Sequence, residues 1–360
     1  MMKRIKTVFV AVLALTVTTT FLALMAYPTL PSNFSLTETF CNLLQKQGVA
    51  CASEVNDEDV KLVIKPDFGV YSIAFSPDGK YIAAGGTYSK VCIWDVETGK
   101  LVRTLNHNAV VQVVTYSPDG KYLATGTWDT YKVQNNETVN IWDTETGNLL
   151  HKLSPTHRAY NAPVRSMDFS PDSKLLAVSY GGNIRGIGIF KVSNGKLYKT
   201  LEDDRGAISL KFSLDGENLV YANYKGQICI HKNLSIKCND KITTDLNEWI
   251  YSIDISPDGK FIAVAGADKI VKIWDAKSKA PVQILKGHTS VIRTIAYGPN
   301  GRYLVSGSDD RTIRVWDINK GEAVRVIKSW PFVFSVAFGQ DTKFFAAGGN
   351  EIIKILKLSD

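Results

Sequence analysis

The pentapeptide Ser76–Lys80 reads S-P-D-G-K, and the same five letters return at Ser117–Lys121 and Ser256–Lys260. Weaker copies stand at Ser170–Lys174 (S-P-D-S-K), Ser213–Glu217 (S-L-D-G-E), Gly298–Arg302 (G-P-N-G-R) and Gly339–Lys343 (G-Q-D-T-K). Their first residues are 41, 53, 43, 43, 42 and 41 apart. A period of about 40–45 residues marks a repeat architecture, in which each unit buries its apolar face against its neighbours. Such scaffolds act through extended surfaces, so the functional question moves from catalytic residues to a rim.

Each copy sits in the same surroundings. A short apolar run precedes it: Val70–Phe75, Val110–Tyr116, Val164–Phe169, Ile250–Ile255, Ile292–Tyr297 and Val333–Phe338. In the phrase itself Pro presets φ, Asp bonds nearby backbone and Gly accepts positive φ, so it closes a hairpin. A second strand follows, such as Tyr81–Gly85 or Tyr303–Gly307, and a third ends in Trp-Asp at Trp94, Trp142, Trp274 and Trp316. A turn then leads to a fourth strand, such as Leu101–Leu105 or Ala323–Ile327. β-Branched and aromatic enrichment between turn residues predicts strands throughout. No stretch of the repeats sustains a helical period.

From Val60 to Asp360 the chain resembles the WD-repeat (WD40) β-propeller family, whose four-stranded blades stack around a central channel. That family's polar tetrad of His, Ser/Thr, Asp and Trp is complete in the sixth repeat as His288, Ser306, Asp310 and Trp316. The second repeat has His107, Thr125, Asp129 and Trp142, with an insertion at Thr130–Thr138 between the last two. The resemblance implies a structural role: a buried Trp N–H needs an acceptor, and the chain of polar groups supplies one. A Ser/His/Asp set also occurs in nucleophilic catalysis, but here it recurs in register with a repeat and pairs with Trp. Other repeats depart from the pattern. Ala84 and Tyr88 stand at tetrad places in the first, and the fifth keeps only Asp268 and Trp274. Phe190 and Leu356 replace Trp in the third and seventh, and the fourth, ending in Ile228–His231, is the most eroded.

The seventh repeat stops at its third strand, Ile352–Asp360. Val60–Ile64 resembles Leu101–Leu105, and Phe75 follows Ile64 by eleven residues as Tyr116 follows Leu105. The expected fold is therefore an all-β, seven-bladed β-propeller over 60–360. An N-terminal strand closes it and removes an open edge. A hydrophobic leader (1–26) and a short linker with a helix (27–59) precede it. The leader is basic at Lys3, Arg4 and Lys6 and uncharged over Thr7–Ala26. It reads as a signal peptide or an uncleaved membrane anchor, which predicts an extracytoplasmic propeller that meets the membrane only through this segment. In an oxidising compartment Cys41 and Cys51 are a candidate disulfide. Cys229 and Cys238 are a second, the alternative being two unpaired thiols.

The formal net charge is +7, and +4 without the three leader cations. With no basic run, nucleic acid is not expected as a partner. No C-x-x-C occurs and the five His are scattered, so neither a metal site nor any cofactor is expected. The hydrolase, metalloprotease, P-loop and EF-hand signatures are absent.

What remains is surface. In the family resembled, partners commonly meet the loops leading into the first strand and those between the second and third. Carried over residue by residue, the position five after the tetrad His is Arg293, with equivalents Tyr71, Gln112, Arg165, Ser209, Tyr251 and Phe334. The residue before the tetrad Asp is Trp128 or Asp309, and Trp249 and Phe332 share another loop position. Aromatic and Arg side chains gathered at one rim suit protein binding, although they also suit packing between blades. The insertion is either a recognition loop or a tolerated one. The expected function is a non-enzymatic scaffold binding a protein or peptide partner through one loop face. The alternative is an extracytoplasmic enzyme or sensor acting on a small molecule or glycan at the channel, which would need carboxylates or His converging there.

Overall fold

The computed structural model describes residues 59–128, 138–154, 163–181, 186–201, 206–238, 240–244, 248–328 and 332–358. The described strands form seven four-stranded sheets, and the chain is an all-β, seven-bladed propeller. Blade 1 comprises Val70–Phe75, Tyr81–Gly86, Lys90–Asp95 and Leu101–Asn106, each antiparallel to the next. Blades 2 to 6 repeat this order over 111–153, 164–201, 207–243, 250–286 and 292–328. The seventh sheet holds Ser335–Phe338, Phe344–Gly349 and Ile352–Lys357, and Val60–Ile64 pairs antiparallel with Ile352–Lys357.

The recurring pentapeptide is the turn between first and second strands. Ser76 Oγ donates to Asp78 Oδ1 at 2.6 Å and accepts from Tyr81 N at 2.9 Å. Gly79 takes φ 71°, which glycine adopts without a Cβ penalty. In the S-P-D-S copy Ser173 holds this left-handed conformation at φ 60°. Its Oγ accepts the backbone N–H of Asp119 in blade 2 at 3.1 Å, a bond that a glycine could not offer.

The apolar core lies between consecutive blades. Leu105, Val111 and Val114 pack with Leu123 and Trp142 at the junction of blades 1 and 2, for example. Hydroxyls reinforce these junctions near the axis. Ser72 Oγ accepts from Val114 N, Ser166 from Leu210 N, Ser209 from Ile253 N and Ser252 from Ile295 N. Thr294 accepts from Val336 N, and Ser335 accepts from Ile73 N across the ring's start. Six of the seven junctions carry this bond at 3.1–3.2 Å. The position facing blade 3 from blade 2 is Val113, which has no hydroxyl. Val113→Thr keeps the branched shape and adds the missing acceptor. It should stabilise by about 0.5–1 kcal/mol, read as a rise of about 2 °C in Tm. A lower Tm would show that no donor meets the hydroxyl.

The first strands of blades 1 to 6 are irregular at their start. The register skips one residue between Val70 and Ser72, Val111 and Val113, Val164 and Ser166, Ala207 and Ser209, Ile250 and Ser252, and Ile292 and Thr294. The bulged residues are Tyr71, Gln112, Arg165, Ile208, Tyr251 and Arg293. Bulges re-aim a side chain, which explains why this position differs from the alternating pattern around it. In blade 4 the bulged residue is Ile208. Ser209, expected there from sequence, instead makes the junction bond to Ile253. The eroded fourth repeat lacks a tetrad His to count from, so the sequence alignment slipped by one residue.

The leader, the linker helix, Cys41, Cys51, Asp129 and all of the insertion but Thr138 lie outside the described residues. In blade 4 Cys229 and Cys238 are joined as a disulfide with Cα atoms 6.0 Å apart.

Candidate interaction surface

The sixth-blade polar chain is continuous. His288 Nδ1 donates to Asp310 Oδ2 at 2.8 Å, Ser306 Oγ donates to His288 Nε2 at 2.6 Å, and Trp316 Nε1 donates to Ser306 Oγ at 2.8 Å. Burial lowers the His288 pKa and outweighs the opposing pull of Asp310, which keeps the ring neutral. Burial alone would raise the Asp310 carboxyl, but hydrogen bonds from His288 and Thr312 hold it below the usual carboxylate range. Every reactive atom of the set is committed to a neighbour within the blade.

The second blade differs. Trp142 Nε1 donates to Thr125 Oγ at 2.9 Å, but His107 Nδ1 takes a bond from Asn140 Nδ2 at 3.3 Å. His107 Nε2 is buried with no partner among the described residues, so His and Thr do not form a continuous chain. Among the described residues Trp274 Nε1 is also buried without an acceptor, because Val264 occupies the place that Ser306 has in blade 6.

Burial pulls the His107 pKa down to about 4. The unfolded chain, near 6.5, then binds the proton more tightly than the fold does. The stabilisation is complete above pH 6.5 and is lost as pH falls from 6.5 towards 4. Between pH 7 and 4.5 the loss should reach about 2.5 kcal/mol at most. Urea midpoints of wild type and His107→Gln at both pH values check this, and an equally steep loss in the variant would exclude His107 as its source.

On the channel strands Lys211 lies 3.6 Å from Asp168 and 3.9 Å from Asp254. The two carboxylates raise the lysine pKa, with Asp168 the larger influence, and keep it charged. Burial raises both aspartates. Each also accepts a backbone N–H of the following blade, Asp168 from Phe212 at 2.8 Å and Asp254 from Tyr297 at 2.7 Å. This convergence of carboxylates was not legible in the sequence. Its oxygens are used to join blades 3 to 6.

The rim residues gather in three groups. Tyr224, Trp249 and Tyr251 contact edge to face, with centroids 5.3 and 6.1 Å apart, and Arg293 lies 4.8 Å over Tyr251. Arg293 Nε and Nη2 grip both oxygens of Asp309 at 2.6–3.0 Å. Phe332, Phe334 and Tyr71 make a second group across blades 7 and 1, at 6.1 and 5.5 Å. Arg165 over Trp128, at 5.2 Å, makes the third. Trp249, Trp128 and Phe332 remain 52%, 46% and 39% exposed, so packing against neighbours leaves each with a large outward area. Sequence reasoning missed Tyr224. It lies eleven residues after Ser213, as Trp128 lies eleven after Ser117 and Asp309 eleven after Gly298. The turn phrase, rather than the eroded tetrad, was the ruler that would have found it.

This architecture defines a seven-bladed propeller, and the chain carries WD40 repeats. The family model "WD domain, G-beta repeat" matches residues 147–185, 237–275 and 279–317. The model "Eukaryotic translation initiation factor eIF2A" matches residues 61–162. Among curated relatives, "Meiotic fizzy-related protein 1" of Schizosaccharomyces pombe is 25% identical over 61% of this chain and 61% of its own length. "U3 small nucleolar RNA-associated protein 12" of Saccharomyces cerevisiae is 32% identical over 32% of this chain and 12% of its own. "Anaphase-promoting complex subunit cdc20" of Dictyostelium discoideum is 25% identical over 59% and 50%. The chain thus spans less than two thirds of each. The last of these is named as a subunit of a complex.

The expected extracytoplasmic location is overturned. Relatives named for a small nucleolar RNA and for the anaphase-promoting complex belong to intracellular assemblies. Among the described residues no helix is long and apolar enough to cross a membrane.

Proposed function

We propose that this chain is a non-enzymatic scaffold that binds a protein or peptide partner through the face bearing the first-strand bulges. One observation carries this: the bulges aim Tyr71, Arg165, Tyr251 and Arg293 to one end of the blades, beside outward-facing Trp128, Trp249 and Phe332. Aromatic anchors and Arg, rigid and large in area, are the side chains that dominate binding energy at interfaces. Phe334 and Asp309 serve that face by holding Tyr71 and Arg293 in place. Relatives that belong to multi-subunit assemblies favour the same use.

In this reading the tetrads are structural. Val60–Ile64 closes the ring, supported by its pairing with Ile352–Lys357, and residues 60–360 form the propeller. The channel carboxylates, engaged by backbone N–H groups and Lys211, do not favour chemistry there. Cross-linking mass spectrometry from wild-type cells tests the face. Cross-links should map around Trp249 and Tyr251, and Trp249→Ala/Tyr251→Ala should reduce capture of the linked partner at least about ten-fold while leaving the melting curve in place. Undiminished capture would refute the face.

A further inference from the structure

Blades 3 and 6 present the same two positions differently. Arg165 and Arg293 are both first-strand bulges. Gly181 and Asp309 each follow the second strand directly. Each donates its N–H to the residue before the first strand, Gly181 to Pro163 O at 2.8 Å and Asp309 to Val291 O at 2.9 Å. In blade 6 the arginine therefore finds a carboxylate within its own blade. In blade 3 glycine stands there, and a Cβ on Gly181 would come within 2.7 Å of Arg165 Nε. Arg165 has no carboxylate partner among the described residues, and its Nε is buried without an acceptor. Gln112, the bulge of the adjoining blade, likewise has a buried Nε2 without an acceptor. A buried donor left unpaired is unfavourable, so this side of the mouth is preorganised for an acceptor that the described residues do not supply.

We infer that Arg165 takes a carboxylate from the bound partner, the side chain of an Asp or Glu in an acidic peptide segment, in the manner in which Arg293 grips Asp309. Trp128, stacked on the guanidinium and 46% exposed, receives the apolar residue beside that acid. Arginine's planar fork matches a carboxylate in two bonds, and stacking on an aromatic ring occupies the face of the guanidinium and not its edge. This deepens the scaffold reading and rests on the same face.

The test uses the full chain, ¹⁵N-labelled, titrated with acetyl-Leu-Glu-Leu-amide and with its Gln counterpart, following the Arg165 Nε–H resonance. The Glu peptide should bind at least about ten-fold more tightly than the Gln peptide. Arg165→Gln should abolish that preference, read from backbone amides around Trp128. Gly181→Asp should do the same with the arginine still present, because it supplies the internal carboxylate that blade 6 has; only the flexible Arg165 side chain and Pro163 need shift to admit it. Equal binding of the two peptides to wild type, or an unchanged Glu preference in Gly181→Asp, overturns the inference. If Glu preference fails while Trp249→Ala/Tyr251→Ala still loses the cross-linked partner, only the carboxylate site falls. If the preference holds but partner capture ignores the face variants, the scaffold reading falls and the site stands.

Discussion

Removal of Val60–Ile64 should lower Tm by more than about 10 °C. Ile64 is buried and joins a cluster with Phe68, Ile73, Trp94, Ile353 and Ile355. The strand pairs Leu62 with Ile355, Val63 with Lys354 and Ile64 with Ile353. Lys61 adds an ion pair to Glu97 at 2.9 Å and lies 4.6 Å over the Phe344 ring. Without the strand, Ile352–Lys357 becomes an open edge whose buried isoleucines face water. Losing Ile64 burial and uncovering Ile353 and Ile355 costs about 1.5–3 kcal/mol for each side chain. The three together cost about 4.5–9 kcal/mol, which at about 2–4 °C per kcal/mol is a drop of about 9–36 °C. An unpaired apolar edge should also promote association, visible as a concentration-dependent elution volume. A truncated chain melting within about 2 °C of the full one would refute ring closure by this segment.

Ser306→Ala should cost about 3 kcal/mol, roughly twice the cost of Thr125→Ala. Ser306 Oγ is the shared atom of the sixth-blade chain, accepting from Trp316 and donating to His288. Its loss strands a buried indole N–H and a buried imidazole nitrogen, each worth about 1–3 kcal/mol. Thr125 accepts from Trp142 and otherwise donates only a long 3.5 Å bond to Asn140 O, because His107 is engaged by Asn140. Denaturant unfolding of both variants gives the comparison. Ser306→Ala/His288→Ala should cost less than the two single changes added together, because they remove one network. Equal costs for Ser306→Ala and Thr125→Ala would show that the His288 bond adds nothing.

The turn phrase made the blade count legible, because its residues are chosen by local backbone needs that any one repeat states by itself. Ser76, Asp78 and Gly79 bond and bend within five residues. Tetrad identities were legible in blade 6 for the same reason, since the motif is intact there. In blade 4 the motif has eroded, which put Ser209 where Ile208 belongs and concealed Tyr224. Location failed as an inference because it was drawn from the leader's composition alone.

By itself, then, the sequence determined the all-β class, the seven-fold repeat and the side chains available at each rim position. These follow from short-range chemistry: turn residues, alternation and period. Only the tertiary structure decided which of those side chains have partners. Arg293 and Arg165 are identical as letters at equivalent places. One is satisfied by Asp309, and the other faces Gly181 and stacks on Trp128 from the preceding blade. Whether a donor is paired depends on residues brought together from distant parts of the chain, and folding alone sets those distances.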